Sequence, residues 1–297
     1  MTTMRVFVTG ATGFIGSAIV QELLRTGHQV VGLARSEASA KSLTEAGAEV
    51  LLGNLEDLDS LKKGATEADG VIHTAFIHDF ANYLAAAETD KRAIETLGSA
   101  LAGSTRPLVV TGGILGLRND GVPATEDDPA PGFPRASEAT AMSLAEAGVH
   151  ASVIRLPPSV HDIGDYGFVP YIINTARQKG VSAYAGDGSN RWPAVHRLDA
   201  AHLFRLVLEK GTAGSRYNSI GDEGIPVREI AELIGRHLNL PVVSISPEEA
   251  VSHFDWMSRF IQFDSPASSE KTREQLGWQP THPGLIDDLN LGHYFKH

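Results

Sequence analysis

Residues 1–17 are Met1-Thr-Thr-Met-Arg-Val-Phe-Val-Thr-Gly-Ala-Thr-Gly-Phe-Ile-Gly-Ser17, and this stretch decides the fold. Residues Val6–Val8 form the short apolar run that is typical of a buried parallel strand. Gly10, Gly13 and Gly16 follow in a GxxGxxG spacing, and an amphipathic helical pattern comes next. A strand that runs through a glycine turn into a helix predicts a cradle for dinucleotide phosphates, because the helix N-terminus presents free N–H groups and a partial positive charge.

Each glycine of this turn has a predicted physical role. Gly10 takes the tight turn, Gly13 lets the backbone approach a pyrophosphate closely, and Gly16 allows the helix to pack against the strand. The spacing has one residue more between the first two glycines than the GxGxxG fingerprint. The other residues of the turn that we expect at the cofactor are Thr12, Phe14 and Ile15.

Composition indicates a soluble protein of enzyme size. The chain has 297 residues, of which 42% are hydrophobic, so it can bury a large core. No run approaches the roughly 18 apolar residues of a membrane span, and the N-terminus lacks a signal-peptide pattern. The absence of cysteine excludes disulfides and fits a reducing cytoplasm. The net charge of −11 disfavours nucleic acid and anionic membranes, so we expect a small-molecule ligand and a cytoplasmic location.

The end of the second predicted strand discriminates between NAD and NADP. This strand covers Gln29–Ala34, and Arg35 and Ser36 follow it. A carboxylate at this junction would bind the 2′-hydroxyl of NAD, whereas an arginine accommodates the 2′-phosphate of NADP. Arg35, with Ser36 as a second donor, therefore favours NADP(H) over NAD(H). The alternative is an exposed arginine that has no ligand.

The remaining chain continues the alternation of strands and helices. Such βαβ repetition predicts an α/β fold, a Rossmann-type doubly wound parallel sheet that binds ligands at the carboxyl ends of its strands. Beyond the sixth strand the elements become shorter, which predicts a smaller C-terminal substrate-facing lobe. We expect residues 1–160 to form the NAD(P)-binding domain, with a segment at about 190–220 that returns to it, and residues 161–297 to form mainly the smaller lobe. The further predicted strands are Glu49–Gly53, Val71–Ala75, Leu108–Thr111 and Ser152–Leu156.

The TGxxGxxG opening and the Leu-Gly-Trp-x-Pro motif at 276–280 resemble the extended and atypical short-chain dehydrogenase/reductase superfamily, which includes NAD(P)-dependent epimerases and dehydratases. The resemblance spans nearly the whole chain. It implies a homodimer that forms through the helices after strands four and five. It also implies further cofactor contacts from Asn54, Leu55, Thr74, Ala75, Phe76, Thr111 and Pro157 or Pro158.

The usual catalytic pair of that superfamily is missing. Its members use a tyrosine as proton donor or acceptor, and a lysine four residues later lowers the pKa of the phenol. None of the six tyrosines here has a lysine four positions on. Counted back from Arg155, which matches the arginine that ends strand six in the family, the pair should fall near Ala130 and Pro134. The departure predicts an atypical member that keeps cofactor binding.

Three side chains are candidates for the missing proton donor. His161 follows the prolines after strand six, and we expect it to project into the nicotinamide crevice with a pKa near neutrality. Its alternative role is to cap the loop or bind water. Thr111 and Tyr166 are weaker candidates, since each is expected to bind or pack rather than react.

Two functional classes remain open, an enzyme and a non-catalytic binding protein, and the enzyme class includes two possible reactions. The preferred function is an NADP-dependent oxidoreductase that acts on a small carbonyl or hydroxyl compound, with the cofactor supplying the difficult chemistry. The alternative is a non-catalytic NAD(P)-binding sensor or regulatory protein. Epimerase or dehydratase chemistry on a nucleotide sugar is a third option, which the missing tyrosine weakens. The sequence has no HExxH, GxSxG or GxxxxGKS motif, so we expect no metal, hydrolase or kinase-like site.

Overall fold

A computed structural model describes residues 2–79, 82–118, 120–130 and 135–296. Within these residues the strands are β1 (Arg5–Thr9), β2 (Gln29–Ala34), β3 (Glu49–Leu52), β4 (Gly70–His73), β5 (Leu108–Gly113), β6 (Ala151–Leu156), β7 (Ser159–His161), β8 (Ser182–Ala185), β9 (Arg191–His196), β10 (Arg216–Asn218), β11 (Asp222–Pro226) and β12 (Val242–Ile245).

The helices that cover these strands alternate with them through the first half of the chain. They are α1 (Phe14–Arg25), α2 (Glu37–Ala46), α3 (Leu58–Thr66), α4 (Tyr83–Leu101), α5 (Ser137–Glu146), α6 (Phe168–Lys179), α7 (Arg197–Lys210), α8 (Val227–Leu238), α9 (Pro247–Phe254), α10 (Glu270–Leu276) and α11 (Leu285–Asn290).

The main sheet has seven parallel strands among the described residues, in the order β10-β6-β5-β4-β1-β2-β3. The chain moves outward from β1 to β2 and β3, and then returns to the other side of β1 for β4, β5 and β6. This reversal beside β1 is the topological switch point of a doubly wound fold, where ligands bind. The predicted α/β Rossmann-type class is confirmed, and the predicted strands agree with the observed ones within two residues at each end.

Strand β1 is central because its side chains are apolar on both faces. Val6, Phe7 and Val8 are completely buried, as a parallel strand with helices on both sides requires. Val6 and Val8 pack in the core formed with α1 and α7, whereas Phe7 packs in the opposite core with α3, α4 and α5. Alternate side chains of a strand point to opposite faces, so this short apolar run ties two cores together.

A second core lies in the C-terminal part of the chain. Trp192, Leu233 and Phe254 belong to a cluster that joins α6, α8, α9, β8 and β9. Strand β10 lies outside this cluster, since it pairs with β6 at the edge of the main sheet. The boundaries that we expect for the two lobes remain predictions. No helix among the described residues has the length and apolar character needed to cross a membrane.

Candidate functional site

The residues expected at the cofactor follow the carboxyl ends of strands in one parallel sheet. The first turn joins β1 to α1, and the later positions follow β2, β3, β4, β5 and β6 in turn. Because all these strands are parallel, their carboxyl ends share one edge, and the switch point between β1 and β4 opens there. The fold therefore brings segments that are far apart in sequence to one crevice.

The backbone of the first turn requires two of its glycines. Gly10 has φ of +68°, and a Cβ atom there would lie 2.7 Å from the backbone nitrogen of Ala75. A Cβ atom on Gly16 would lie 2.0 Å from the carbonyl oxygen of Gly10, so α1 touches the turn directly. Gly13 is different, because its φ is −71° and a Cβ atom would lie 3.2 Å from that same oxygen. The turn thus forms a cradle for phosphates. No side chain at Gly13 hinders the predicted approach of a ligand to the backbone.

Two side chains from the second half of the chain lie over this cradle. The backbone N–H of Phe14 donates to Tyr166 Oη at 3.4 Å, and the two rings meet edge to face. The guanidinium of Arg197 lies 4.7 Å from the centre of the Phe14 ring and pairs with Asp162 at 3.0 Å. Arg197 brings positive charge to the helix N-terminus of an acidic protein. Sequence reasoning missed it because no local motif connects the start of α7 with α1.

Arg35 and Ser36 lie at the end of β2, as expected. Both are exposed, and Arg35 has no hydrogen bond or ion pair to the described part of the chain. Ser36 is the N-cap of α2, since its hydroxyl oxygen accepts from the backbone N–H of Ser39 at 3.2 Å. The Ser36 hydroxyl thus already has a structural use, whereas the Arg35 guanidinium is available.

The expected adenine contacts follow β3. Asn54 Oδ1 accepts from the backbone N–H groups of Glu56 and Asp57 at 2.8 and 3.1 Å. This Asx-type turn leads into α3 and holds the amide oxygen in place. The Asn54 side chain is exposed while Leu55 is buried beneath it. Only the amide nitrogen of Asn54 is left for a ligand within the described residues.

Threonines connect the ends of β1, β4 and β5. Thr74 Oγ1 donates to the carbonyl oxygen of Thr9 at 2.8 Å, and the N–H of Ala75 donates to Thr9 Oγ1 at 3.4 Å. Thr111 Oγ1 donates to the carbonyl oxygen of His73 at 2.9 Å and is almost fully buried. The hydroxyl proton of Thr111 therefore holds two strands together, which disfavours its use as an acid.

The placement of His161 differs from our expectation. Its side chain is 0% exposed, so it does not project into an open crevice. His161 Nδ1 lies 2.9 Å from Asp288 Oδ2, and Nε2 is buried with no hydrogen-bond partner in the described residues. The pairing carboxylate comes from α11, which no pattern in the loop could reveal. Of the two prolines before β7, Pro157 is buried and Pro158 is half-buried.

The loop that carries Tyr166 is braced by the C-terminal tail. Tyr294 Oη accepts from the backbone N–H of Asp162 at 3.2 Å and donates to Asp165 Oδ2 at 3.1 Å. Burial raises the pKa of Asp165 to about 6, although the N–H of Gly167 and the Tyr294 hydroxyl act in the opposite direction. Tyr166 itself is 74% exposed at the tip of this loop. The brace fixes the loop, and the tyrosine extends from it to the cradle.

A buried polar chain that sequence reasoning missed lies beneath the crevice. His73 Nδ1 lies 2.8 Å from Thr9 Oγ1, and His73 Nε2 lies 3.0 Å from Asp90 Oδ1. Ser137 Oγ donates to Asp90 Oδ2 at 2.5 Å, and Arg135 Nε donates to Ser137 Oγ at 2.8 Å. Burial favours a higher pKa for Asp90, but the bond and charge of His73 and the charge of Arg135 outweigh it and lower that pKa. The only sequence signal was a serine at the start of α5.

The structure describes one of the two positions at which the family's tyrosine and lysine would fall. Ala130 lies in the loop before α5, and its backbone N–H donates to Glu138 Oε1 at 3.3 Å. Pro134 lies outside the described residues. Helix α5 begins at Ser137, after this loop. Among the described residues, no group of three or more His, Asp or Glu side chains is arranged to hold a metal ion.

Comparison with known proteins agrees with this geometry. A family model described as NAD(P)H-binding matches residues 10–155. An uncharacterized protein of Schizosaccharomyces pombe is 54% identical over 98% of this chain and 100% of its own length. The 4-hydroxy-2-methyl-3-oxo-4-farnesyl-3,4-dihydroquinoline-1-oxide ketoreductase of Stigmatella aurantiaca is 24% identical, and the alignment covers 96% of each protein.

A solved structure shows the same fold. DesIV, the dTDP-glucose 4,6-dehydratase of Streptomyces venezuelae with NAD and TYD bound, superposes on this chain with a TM-score of 0.79 at 21% identity. The superposition covers 99% of this chain and 97% of that one. At this level of identity the likeness concerns the fold, since one fold supports many functions.

Proposed function

Since the chain belongs to the NAD(P)-binding extended short-chain dehydrogenase/reductase family, with its epimerases and dehydratases, we propose that it is an NADP-dependent oxidoreductase acting on a small carbonyl or hydroxyl compound. The observation that carries this proposal is the cradle at the switch point, where Gly10 and Gly16 are required by backbone contacts. A related protein named as a ketoreductase supports the same reaction class.

The residues around the crevice have separate roles in this proposal. The N-terminus of α1 and the Arg197 guanidinium hold the pyrophosphate, because both present positive charge at Phe14. Arg35 binds the 2′-phosphate, since it is an exposed arginine at the end of β2 with no protein partner in the described residues. The bound nicotinamide supplies the hydride chemistry.

The three candidate proton donors have different surroundings. His161 is buried against Asp288, and the hydroxyl of Thr111 is bonded to a strand carbonyl. Tyr166 has an accessible hydroxyl, but it lies at the phosphate cradle. We propose that Tyr166 contacts the cofactor phosphates and that His161 positions the loop beneath it.

A calorimetric titration with NADPH and with NADH tests the proposed function. We expect clear preference for NADPH, and Arg35→Ala should weaken NADPH binding about ten- to a hundredfold while leaving NADH within about twofold, because hydrogen bonds to charged groups contribute about 1.5–3 kcal/mol. Arg25→Ala is the matched control, since Arg25 is also exposed but lies at the C-terminal end of α1, away from the cradle. Equal affinity for both cofactors would overturn the assignment of Arg35.

The sensor alternative is favoured by one observation, namely that the family's tyrosine and lysine are absent from the sequence. It predicts tight NADPH binding with no oxidation of NADPH by any carbonyl compound. Epimerase or dehydratase activity predicts conversion of a nucleotide sugar with no net change in cofactor absorbance. Absorbance measured with NADPH and carbonyl compounds, together with product analysis of nucleotide sugars incubated with the oxidised cofactor, therefore separates the three.

A further inference from the structure

The guanidinium of Arg135 lies in the crevice rather than on the outer surface. Arg135 Nη2 donates to the carbonyl oxygen of Thr111 at 3.2 Å, at the end of β5. Its Cζ atom lies 4.2 Å from the centre of the Phe76 ring, in the segment that follows β4. Thr111 and Phe76 are both residues that the family resemblance sets along the cofactor. Arg135 therefore occupies the same edge of the sheet and is half-buried there.

A buried chain of side chains fixes the direction of this guanidinium. Arg135 Nε donates to Ser137 Oγ, and Ser137 in turn donates to Asp90, which His73 contacts from the other side. Ser137, Asp90 and His73 are each at most 1% exposed. Because a buried, fully bonded network permits few alternative arrangements, the arginine is held in one orientation before any ligand arrives.

One edge of the guanidinium is left available. Nε and one N–H of Nη2 are used by protein, so the edge formed by Nη1 and the second N–H of Nη2 points away from these bonds. No Asp or Glu of the described residues forms an ion pair with Arg135. Arg155 provides the contrast, because it is completely buried and meets Glu138 through Nε and Nη2 at 2.8 and 2.6 Å.

The positive charge of Arg135 acts on its surroundings. Burial lowers the pKa of His78, and the charge of Arg135 lowers it further. Burial raises the pKa of Tyr83, and Arg135 opposes that rise. The carboxylate of Asp90 is reached only through Ser137, so the open edge of this half-buried cation has no direct carboxylate contact among the described residues and can accept an anion.

We propose that Arg135 binds a carboxylate group of the substrate, so that the protein reduces or oxidises a small carbonyl or hydroxyl acid. This inference rests on the proposed oxidoreductase function. The free edge of a guanidinium matches the two oxygens of a carboxylate in a bidentate pair. Ser137 and Asp90 are positioning residues that act through Arg135.

The test compares 2-oxo acids of three to six carbons with their methyl esters. With NADPH, we expect at least one acid to exceed its ester about tenfold or more in kcat/KM. Arg135→Gln should raise the KM for that acid at least tenfold and remove the preference over the ester, while the Kd for NADPH stays within twofold. Arg135→Lys should recover part of the preference, because it retains the charge but loses the fork.

Further variants separate positioning from folding. Ser137→Ala should raise the KM for the acid several-fold and leave the NADPH Kd unchanged, a split that a purely structural defect does not produce. Arg118→Gln is the matched control, because Arg118 is already paired with Asp120 and Asp128 in the loop after β5. It should leave the preference intact.

The outcomes that contradict this inference differ from those that contradict the proposed function. Normal NADPH binding with esters as good as acids, or with no acid reduced, would overturn the carboxylate assignment alone. Weakened NADPH binding in Arg135→Gln would mean that Arg135 binds the cofactor, and this result would also overturn the carboxylate assignment. Failure of the wild-type protein to bind NADPH would contradict the oxidoreductase function itself.

Discussion

The cradle after β1 and the crevice around Arg135 are built in opposite ways. In the cradle, Gly10, Gly13 and Gly16 belong to one short stretch, and their contacts are with backbone atoms of that stretch and of the neighbouring β4 turn. Around Arg135, the Thr9, His73, Asp90 and Ser137 side chains come from β1, β4, α4 and α5. A site made of backbone can be recognised from spacing, whereas a site made of distant side chains requires the fold.

The largest expected effect distinguishes two glycines inside the cradle. Gly16→Ala places a Cβ atom 2.0 Å from a backbone oxygen, so we expect about 1–3 kcal/mol loss of unfolding free energy together with loss of NADPH binding. Gly13→Ala should cost less stability than Gly16→Ala, because its φ of −71° suits alanine and its Cβ atom would lie 3.2 Å from the same oxygen, and it should still lose affinity if a phosphate approaches there. Urea unfolding and calorimetry measure both. Equal stability of the two variants would contradict the packing role of Gly16.

His161, outside both regions at the end of β7, allows a test of structure against chemistry. His161→Ala leaves Asp288 without its buried partner, so we expect about 1–3 kcal/mol of destabilisation from urea unfolding. His161→Asn retains a donor toward that carboxylate and should recover part of the loss. Both variants should keep turnover per folded molecule within a few-fold. Abolished turnover in a stable His161→Asn protein would restore the histidine as the proton donor.

Tyr166 tests the cradle from the side of the loop after β7, since it extends from that loop to the first turn of α1. If its hydroxyl donates to a cofactor phosphate, Tyr166→Phe should weaken NADPH binding about three- to tenfold, which corresponds to about one hydrogen bond. The Tyr171→Phe variant is a control of the same chemistry, because Tyr171 Oη donates to the carbonyl oxygen of Phe254 in the C-terminal core, away from the cradle. Tighter binding in Tyr166→Phe would mean that the hydroxyl competes with the phosphate for the Phe14 N–H.

The pH dependence of stability tests the brace under Tyr166. The pKa of Asp165 is about 6 in the folded chain against an ordinary value of 3.8, so folding takes up a proton between these pH values. Its contribution to stability is therefore complete below pH 3.8 and is lost as the pH rises to about 6. Asp165→Asn should remove this component. Unfolding free energies of both proteins from pH 4 to 7 give the difference, and parallel profiles would contradict the raised pKa.

The sequence predicted the α/β sheet, whereas the surroundings of the candidate catalytic side chains required the tertiary structure. Strand and turn patterns depend on residues that are close in sequence. The alternation of strands and helices, and the residues at the strand ends, could therefore be predicted from the sequence. The buried state of His161 was not, because its partner Asp288 lies far away in sequence. Neither Arg135 nor Arg197 belongs to a recognisable sequence motif. Their possible roles follow only from the residues that they contact in the folded chain.

By itself the sequence determined that a buried strand passes through a glycine turn into a helix, because strand burial and backbone sterics depend on neighbouring residues. Tertiary structure alone decided which side chains face that turn. Arg197 reaches Phe14 only because α7 packs beside α1, and Tyr166 reaches it from the loop after β7. Arg135 faces the end of β5 only because the Asp90 and Ser137 side chains meet beneath it. Such contacts arise from the packing of distant segments, which no local spacing encodes.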